Sequence, residues 1–432
     1  MFAAETLALA LVAAAAAAPP ADTYEQMFEL PASAEVVATV HAGCAGCAWG
    51  AEGREAAALR LSVDGVYSQH LLLARGETPA DYRVTLGTLP AGRHRLSIER
   101  DSALSAKGAG AATISVDAPQ AIADRDEALA QSMAPILFAR ANTVGRFTDL
   151  PILMWYEVVP TARGRQFRYS VIFTNEDGGT ATDRLMATWG RTTDIEYVYG
   201  VELDRSGRVV AEQFQGPGHE FPPFTGRHDA RHPLLWVSTD NNMVSESGST
   251  TIRYAPAPER FDLTNASREA VMDRHPWSYA LASEEMARER KIKDEGPGHN
   301  TIPDPRRYVY IEACGDVGDA ALAFAVNARE TWIASDRGVR EYRIVRDGCF
   351  RAAIPLPAGM QARDLHALRV MAYTRAPAKG QPAVRPRGPV MLRRVNTVFM
   401  LDERYQPGPS ILHWQGAAAI DADETPFDLP IR

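Results

Sequence analysis

Short runs of β-forming residues separated by turn residues recur along most of this chain, and they constrain its fold more than any other feature. In the first part of the chain they occupy residues 35–40, 57–63, 67–73, 82–86, 94–99 and 112–116, with turn signals such as Asp64-Gly65 between them. Further runs lie at 136–139, 153–159, 168–173, 196–203, 209–213 and 234–237. This short, regular spacing is typical of all-β sandwiches. We therefore predict a mostly-β protein made of several β-sandwich domains.

Two breaks in the β pattern indicate where the domains meet. Residues 121–133 have helical spacing, and residues 267–273 and 283–293 are helical and highly charged. Strand-like runs return at 308–312, 321–326, 339–345, 350–355, 367–373 and 390–401, with an exposed Pro/Gly/basic loop predicted at 376–389. The predicted domains are an immunoglobulin-like sandwich at 22–120, a central sandwich at 121–260, a helical bridge at 261–306, and a C-terminal sandwich with a tail at 307–432.

The start of the chain resembles a secretory signal. Residues 7–18 (LALALVAAAAAA) form a short apolar run followed by Pro19-Pro20 and small residues, which predicts a signal peptide at 1–21. No later stretch supplies the roughly 20 apolar residues that a membrane span needs. We expect an exported protein, periplasmic or extracellular, without a transmembrane segment after signal cleavage.

The four cysteines fit an oxidising compartment. Cys314 and Cys349 each lie in a β-rich region and could bridge neighbouring strands. Cys44 and Cys47 form a C-A-G-C motif, which is compatible with a local disulfide loop, a thioredoxin-type redox pair or half of a metal site. A redox pair is expected to open a helix, whereas this segment leads to further strands, so the local loop is favoured.

Charge and motifs exclude several classes of function. The net charge is −8 and no basic stretch is concentrated anywhere, which argues against a nucleic-acid partner. The chain contains no nucleophile elbow, H-E-x-x-H, P-loop or G-x-G-x-x-G in a βαβ context. Serine hydrolase, zincin, nucleotide-binding and dehydrogenase functions therefore lose their usual support.

Acidic residues gather around an insertion between two β-forming runs of the central region. Glu176 and Asp177 follow the first run, and Asp194 and Glu196 begin the second. Side chains two residues apart on a strand share a face, so Asp194 and Glu196 can reach one point. Paired acids repel unless a cation, an arginine or a proton lies between them. These four residues are the predicted site of a divalent cation, calcium or magnesium.

The same region resembles a β-sandwich superfamily of vacuolar-protein-sorting-like proteins and secreted necrosis- and ethylene-inducing toxins. The toxins carry a block close to Y-x-W-Y-F-P-K-D and a second block G-H-R-H-D-W-E, for which the sorting-like proteins have H-x-G-D-W-E. Residues 169–176 (YSVIFTNE) and 190–196 (GRTTDIE) stand in these places. Gly218-His219 and residues 232–236 (HPLLW) resemble later pieces of the sorting-like pattern.

The resemblance implies that Glu176 (or Asp177), Asp194 and Glu196 hold a divalent cation, as the corresponding acids of the toxins do. The heptapeptide departs from the toxin pattern, because Arg191 and Thr193 replace its histidines. An arginine beside the acids could form an internal ion pair in place of a metal site.

Three further residues are candidates for ligand binding. His219 follows Gly-Pro-Gly in a tight loop, a position that can present a side chain to a cleft. Trp189 adjoins the acidic residues and could stack on a sugar ring. Asp240 ends a strand, where it supplies an oxygen ligand or makes an Asx turn. Residues 226–232 (GRHDARH) suit a transition metal or, more simply, a polar loop.

The sequence does not identify a biochemical activity or decide whether the protein is an enzyme; it favours an exported binding protein whose partner is a glycan, a lipid headgroup or a protein at the cell surface. The alternative is a metal-assisted hydrolase acting on an extracellular polymer, with the four acids holding the ion and His219 as base or ligand.

Overall fold

The computed structural model of the chain describes residues 22–176, 178–376 and 385–431. These residues form three β-sandwiches, each with two sheets packed around its own core, and helices lie between the second and third. The predicted mostly-β, multi-domain architecture is confirmed. The predicted signal peptide, Asp177 and residues 377–384 of the predicted loop lie outside the described residues.

The first sandwich is antiparallel throughout. Its strands are β1 (Thr23–Leu30), β2 (Ala34–Cys44), β3 (Ala58–Val63), β4 (Val66–Leu72), β5 (Ala80–Leu89), β6 (Gly92–Asp101), β7 (Ala112–Val116) and β8 (Gln120–Ala121). One sheet has the order β1-β6-β3-β4, and the other has the order β5-β2-β7 with β8 added to β2. Leu61 and Ile98 from the first sheet meet Val40 and Val84 from the second in one buried core.

Helix α1 (Arg125–Ser132) connects the first sandwich to the second. The second contains β9 (Ile136–Phe138), β10 (Pro151–Pro160), β11 (Gly164–Phe173), α2 (Thr182–Trp189), β12 (Asp194–Asp204), β13 (Val209–Phe214), β14 (His228–Asp229), β15 (His232–Val237), β16 (Val244–Ser245), β17 (Arg253–Tyr254) and β18 (Glu259–Arg260). Its sheets have the orders β13-β12-β11-β10-β18 and β14-β15-β9-β17, with β16 paired to β15.

Two helices, α3 (Ala270–Arg274) and α4 (Trp277–Arg288), precede the third sandwich. Its strands are β19 (Tyr308–Asp316), β20 (Ala320–Ala328), β21 (Thr331–Ala334), β22 (Gly348–Pro355), β23 (Leu365–Thr374), β24 (Val390–Phe399), β25 (Trp414–Ile420) and β26 (Phe427–Pro430). They form the sheets β22-β19-β24-β25 and β21-β20-β23-β26.

The helices fill the space between the second and third sandwiches. Trp155 and Ile195, from the outer face of the β10–β12 sheet, and Tyr310, from β19, belong to the same buried cluster as Met272 and Tyr279 of the helices. The sheet that contains β12 is therefore buried on both of its faces.

Residues 253–257 hold the first two sandwiches together. The backbone N–H of Thr85 donates to the carbonyl of Ala255 at 2.9 Å, and the N–H of Ala257 donates to the carbonyl of Arg83 at 3.0 Å. The N–H of Ala255 also donates to Gln69 Oε1 at 3.0 Å. These bonds fix β4 and β5 against the second sandwich.

Both predicted disulfides are present. Cys314 and Cys349 are bonded and lie directly opposite each other on β19 and β22. Cys44 and Cys47 are bonded as well, so the C-A-G-C segment closes the favoured local loop. Among the described residues, no helix is long and apolar enough to cross a membrane.

The structure differs from the sequence-based prediction in several places, among them the unpredicted strand β1 and the helix α4, which begins and ends earlier than the predicted 283–293. The acid- and glycine-rich insertion contains the unpredicted helix α2. Residues 339–345, predicted as a strand, instead form the 3₁₀ turn Arg340–Tyr342, with only Ile344 bridged to a strand. The tail, which carries little pattern, supplies β25 and β26.

Candidate functional site

Asp194 and Glu196 lie at the start of β12 and face the interior of the second sandwich. They are paired with Phe173 and Val171 of β11, which belong to the core of this sandwich. Ile195, between them, packs on the opposite face against the helices. Both carboxylates therefore lie on one face, as the period-2 argument expects.

Asp194 is 1% exposed, and two side chains contact its carboxylate. Asn242 Nδ2 donates to Asp194 Oδ2 at 2.9 Å, whereas Arg191 Nη1 lies 3.9 Å from Oδ1. Burial, and then the negative charge of Glu196, hold the pKa of Asp194 well above its usual range. Asp194 therefore retains its proton to a higher pH than an exposed aspartate does.

Arg191 has a nearer acidic partner in Glu269. Arg191 Nε lies 3.2 Å from Glu269 Oε1, and its Nη1 donates to the carbonyl of Thr193. Burial works in the opposite direction, but the charges of Arg191 and then Arg346 lower the pKa of Glu269. The internal arginine–carboxylate pair that the sequence suggests is thus centred on Glu269, with Asp194 at its edge.

Glu196 lies closer to solvent than Asp194. Gln215 Nε2 donates to Glu196 Oε2, and the same nitrogen lies 3.5 Å from His219 Nδ1. Burial raises the pKa of Glu196, while the charge of Arg268 acts against this rise. His219 is exposed, so it lies at the solvent edge of the acidic pair, one side chain away from Glu196.

Of the remaining predicted residues, Asp240 and Trp189 have partners elsewhere. Asp240 forms an ion pair with Arg140. Trp189, the last residue of α2, has the Arg346 guanidinium over its ring, 5.2 Å from the centroid. Glu176 lies near enough for its charge to raise the pKa of Asp194 further.

Amide N–H groups contact the acidic pair. Those of Asn242 and Gln215 each bond one carboxylate oxygen, Asp194 Oδ2 and Glu196 Oε2, and these oxygens are of the kind that a divalent cation binds. Among the described residues, no group of three or more His, Cys, Asp and Glu side chains is arranged to hold a metal ion. Calcium or magnesium here stays a prediction, because Asp177 is not among those residues.

A cleft of about 480 Å³ separates the first sandwich from the second, and no sequence motif indicates it. Its walls are β4, β5, the start of β10, residues 254–259 and the start of α4. The charged and aromatic lining residues are His70, Arg75, Asp81, Tyr82, Arg83, Tyr254, Glu259, His275 and Trp277.

Arg75 lies in the cleft between two aromatic rings. Its guanidinium carbon is 4.9 Å from the centroid of Trp277 and 6.0 Å from that of Tyr82. Arg75 Nη1 donates to the backbone carbonyl of Asp81 at 3.1 Å, and the Arg75 backbone N–H donates to the Tyr82 hydroxyl at 3.1 Å. Burial lowers the pKa of Arg75 and raises that of Tyr82 to about 12.

The acids of the cleft are each held by a histidine. Asp81 Oδ1 lies 2.6 Å from His41 Nδ1, and Glu259 Oε2 lies 3.1 Å from His275 Nε2. The hydrogen bond from His275 lowers the pKa of Glu259.

Sequence reasoning misses the cleft because its walls are distant in sequence. Trp277 is nearly two hundred residues from Tyr82, and no local pattern links them. The available signal is the pair of aromatic residues, Trp277 and Tyr279, at the start of a helix. Only Trp277 lines the cleft, whereas Tyr279 is buried in the helical layer.

Comparisons with known proteins identify no family. No family model matches the chain, and no curated protein matches it. A GH2 β-galacturonidase from Eisenbergiella tayi, in crystal structures with glycerol and with galacturonate, is 11% identical with TM-scores of 0.15 and 0.14. These matches cover 47% of this chain and 28% of the galacturonidase.

The tandem CBM51 modules of a family 98 glycoside hydrolase from Streptococcus pneumoniae SP3-BS71 are 9% identical. That match covers 80% of this chain and 78% of the modules, with a TM-score of 0.16. At TM-scores this low, none of these similarities supports a conclusion about this chain.

Proposed function

We propose that this protein is an exported, non-catalytic binding protein that takes a carbohydrate ligand in the cleft between its first two sandwiches. The observation that carries this proposal is the composition of the cleft. Half-buried Trp277 and Tyr82 lie beside charged groups in a concave space of about 480 Å³. Ligand sites typically have volumes of about 300–1,000 Å³, with apolar and aromatic walls and a few placed polar groups.

The chemistry of a sugar matches these walls. A sugar ring presents C–H groups on its faces and hydroxyl groups at its edge, so it needs an aromatic surface and hydrogen-bonding groups together.

The cleft is held in shape before any ligand binds. Its two sides are joined by the backbone hydrogen bonds between β5 and residues 255–257. A preformed site loses less conformational entropy on binding than a flexible one does.

Binding is favoured over hydrolysis by the positions of the acids. Asp194, on which the hydrolase alternative depends, is 1% exposed and points into the core. In the cleft, Asp81 and Glu259 are both occupied by histidines. Asp194 is therefore closed to a substrate, and each cleft acid already bonds a histidine through one of its oxygens.

Export is supported by the two disulfides, since such bonds persist in oxidising compartments. We propose a periplasmic or extracellular location, which agrees with the leader predicted from the sequence.

Binding to an array of neutral and acidic oligosaccharides tests the proposal. The unmodified protein is expected to bind at least one glycan, and Trp277→Ala to weaken that binding about tenfold or more, because it removes the stacking surface. Trp189→Ala is the matched control and should leave binding unchanged. If Trp189→Ala abolishes binding and Trp277→Ala does not, the site is beside the acidic pair and the proposal is wrong.

A further inference from the structure

The cleft contains a charge that the protein itself does not neutralise. In the part of the chain that the structure describes, no carboxylate forms an ion pair with Arg75, whose polar side-chain contact is the Asp81 carbonyl. The acids that line the cleft bond histidines, Asp81 with His41 and Glu259 with His275, and the charge of Asp81 acts on Arg75 only from a distance. The other cleft arginine, Arg83, pairs with Glu127 at 2.9 Å.

Arg75 shares this state with Arg346, which donates to the Thr188 carbonyl and lies over the Trp189 ring. Removing a charge from water is costly unless a counter-charge is present, and the lowered pKa of Arg75 reflects this burial. Elsewhere in the molecule, buried Arg351 has two acidic partners, Asp273 and Glu312. Arg75 instead contacts the rings of Trp277 and Tyr82 and the backbone carbonyl of Asp81.

The guanidinium retains donors for a ligand. An arginine has five N–H donors in a planar fork, and one nitrogen of Arg75 is used by the Asp81 carbonyl. The rest of the fork suits an anion with two oxygens in one plane, such as a carboxylate.

We infer that the cleft selects an acidic sugar, with the carboxylate or sulfate of the sugar bound by Arg75 and its ring bound beside Trp277. This inference rests on the proposed function, since it names the ligand class of the same cleft. The shared chemistry is an anionic group on a sugar ring, and a carboxylate fits the planar fork better than a sulfate does.

Titration calorimetry with matched sugars tests the inference on the full-length purified protein. The probes are a uronic-acid tetrasaccharide, the same tetrasaccharide with its carboxyl groups reduced to alcohols, and its O-sulfated reduced form. We expect the uronic-acid form to bind at least about tenfold more tightly than the reduced form, since charge-assisted hydrogen bonds are the stronger ones. Sulfated-sugar binding equal to uronate binding would show that the cleft accepts either anion; it would support the acidic-sugar inference and contradict the preference for a carboxylate.

Variants at Arg75 assign this preference to a residue. Arg75→Met should remove the preference for the acidic sugar, and Arg75→Lys should retain part of it, because the charge stays while the fork is lost. Arg93→Met, which removes an exposed guanidinium of the same sandwich outside the cleft, is the control and should retain the preference. Melting scans check that each variant is folded.

The outcomes separate the two proposals. If the reduced sugar binds as tightly as the acidic one and Arg75→Met has no effect, the anion inference is wrong and the carbohydrate proposal stands. If neither these probes nor the oligosaccharide array shows binding, the proposed function fails and the inference fails with it.

Discussion

Among single residues, some buried ionisable side chains have an oppositely charged partner within the protein and others do not. Arg191 is buried beside Glu269, and Arg351 is buried between Asp273 and Glu312. Such pairs are needed because breaking a buried pair leaves an uncompensated charge. Asp194 avoids an uncompensated buried charge in another way, because its raised pKa lets it hold a proton.

Two isosteric substitutions distinguish a buried carboxylate that is paired with an arginine from a buried carboxyl group that holds a proton. At mildly acidic pH, where its raised pKa keeps Asp194 protonated, Asp194→Asn is expected to lower the free energy of unfolding by less than about 1 kcal/mol, because the amide resembles a protonated carboxyl group. Glu269→Gln is expected to cost about 3–5 kcal/mol, because it leaves Arg191 without its nearest carboxylate. Urea unfolding of both variants measures the difference, and the opposite order would contradict the assigned pairing.

The pH dependence of Asp194 has a defined sign. Its folded-state pKa is raised, so the stability it contributes is present at low pH and is lost as the pH rises through the folded pKa. The Asp194→Asn variant should not show this loss of stability as the pH rises. If a calcium or magnesium ion were bound at the pair, EDTA would remove it and lower the melting temperature. We do not expect this effect, because the amide groups of Asn242 and Gln215 already bond the two carboxylates.

For individual strands and helices, the sequence pattern predicts the elements that bury one face and misses those created by distant pairing. The strands of the first sandwich alternate, and most are recognisable for that reason. Strand β25 (WQGAAAI) is rich in alanine, a weak strand former, and exists because it pairs with β24. The 3₁₀ turn at Arg340–Tyr342 replaces a predicted strand where Arg343 pairs with Asp336 and folds the chain back.

The two disulfides should contribute unequally to stability. Chain-entropy arguments give about 4 kcal/mol for a bond that closes a loop of about 35 residues, and about 2 kcal/mol for one that closes about four. We expect Cys314→Ala with Cys349→Ala to lower the free energy of unfolding by about twice as much as Cys44→Ala with Cys47→Ala. Equal losses would show that the C-A-G-C loop has a larger structural role than its length predicts.

In the whole molecule, the candidate site is a product of how the sandwiches are arranged. The acidic residues of the second sandwich could be placed from sequence, because they are near neighbours on one strand. The cleft could not be, because Arg75 and Tyr82 come from one sandwich and Trp277 from a helix that follows another. No local sequence pattern indicates that residues so far apart in the chain lie together in the fold.

A buried pair also joins the first two sandwiches and makes their contact sensitive to pH. His232 Nε2 of β15 lies 3.2 Å from Glu35 Oε1 of β2, and both side chains are 3% exposed. Burial works against protonation, but the nearby Glu35 carboxylate raises the pKa of His232 above 6.5. The stability from this pair is therefore present below that value and is lost as the pH rises through the folded pKa.

Glu35→Gln tests this contact. At about pH 6 the variant should be about 1–3 kcal/mol less stable than the unmodified protein, and the difference should narrow towards about pH 9. Glu25→Gln, at an exposed position of the same sandwich, is the control and should show no such trend. A difference that is constant with pH would mean that His232 is not protonated in the folded protein.

The central claim is that the cleft is the carbohydrate site, and a crystal structure of the protein with its best-binding oligosaccharide tests it most directly. The account predicts a sugar ring beside Trp277, with an anionic group of the sugar on the Arg75 guanidinium. A sugar bound beside Trp189 and the acidic pair, with no sugar between the first two sandwiches, would contradict it.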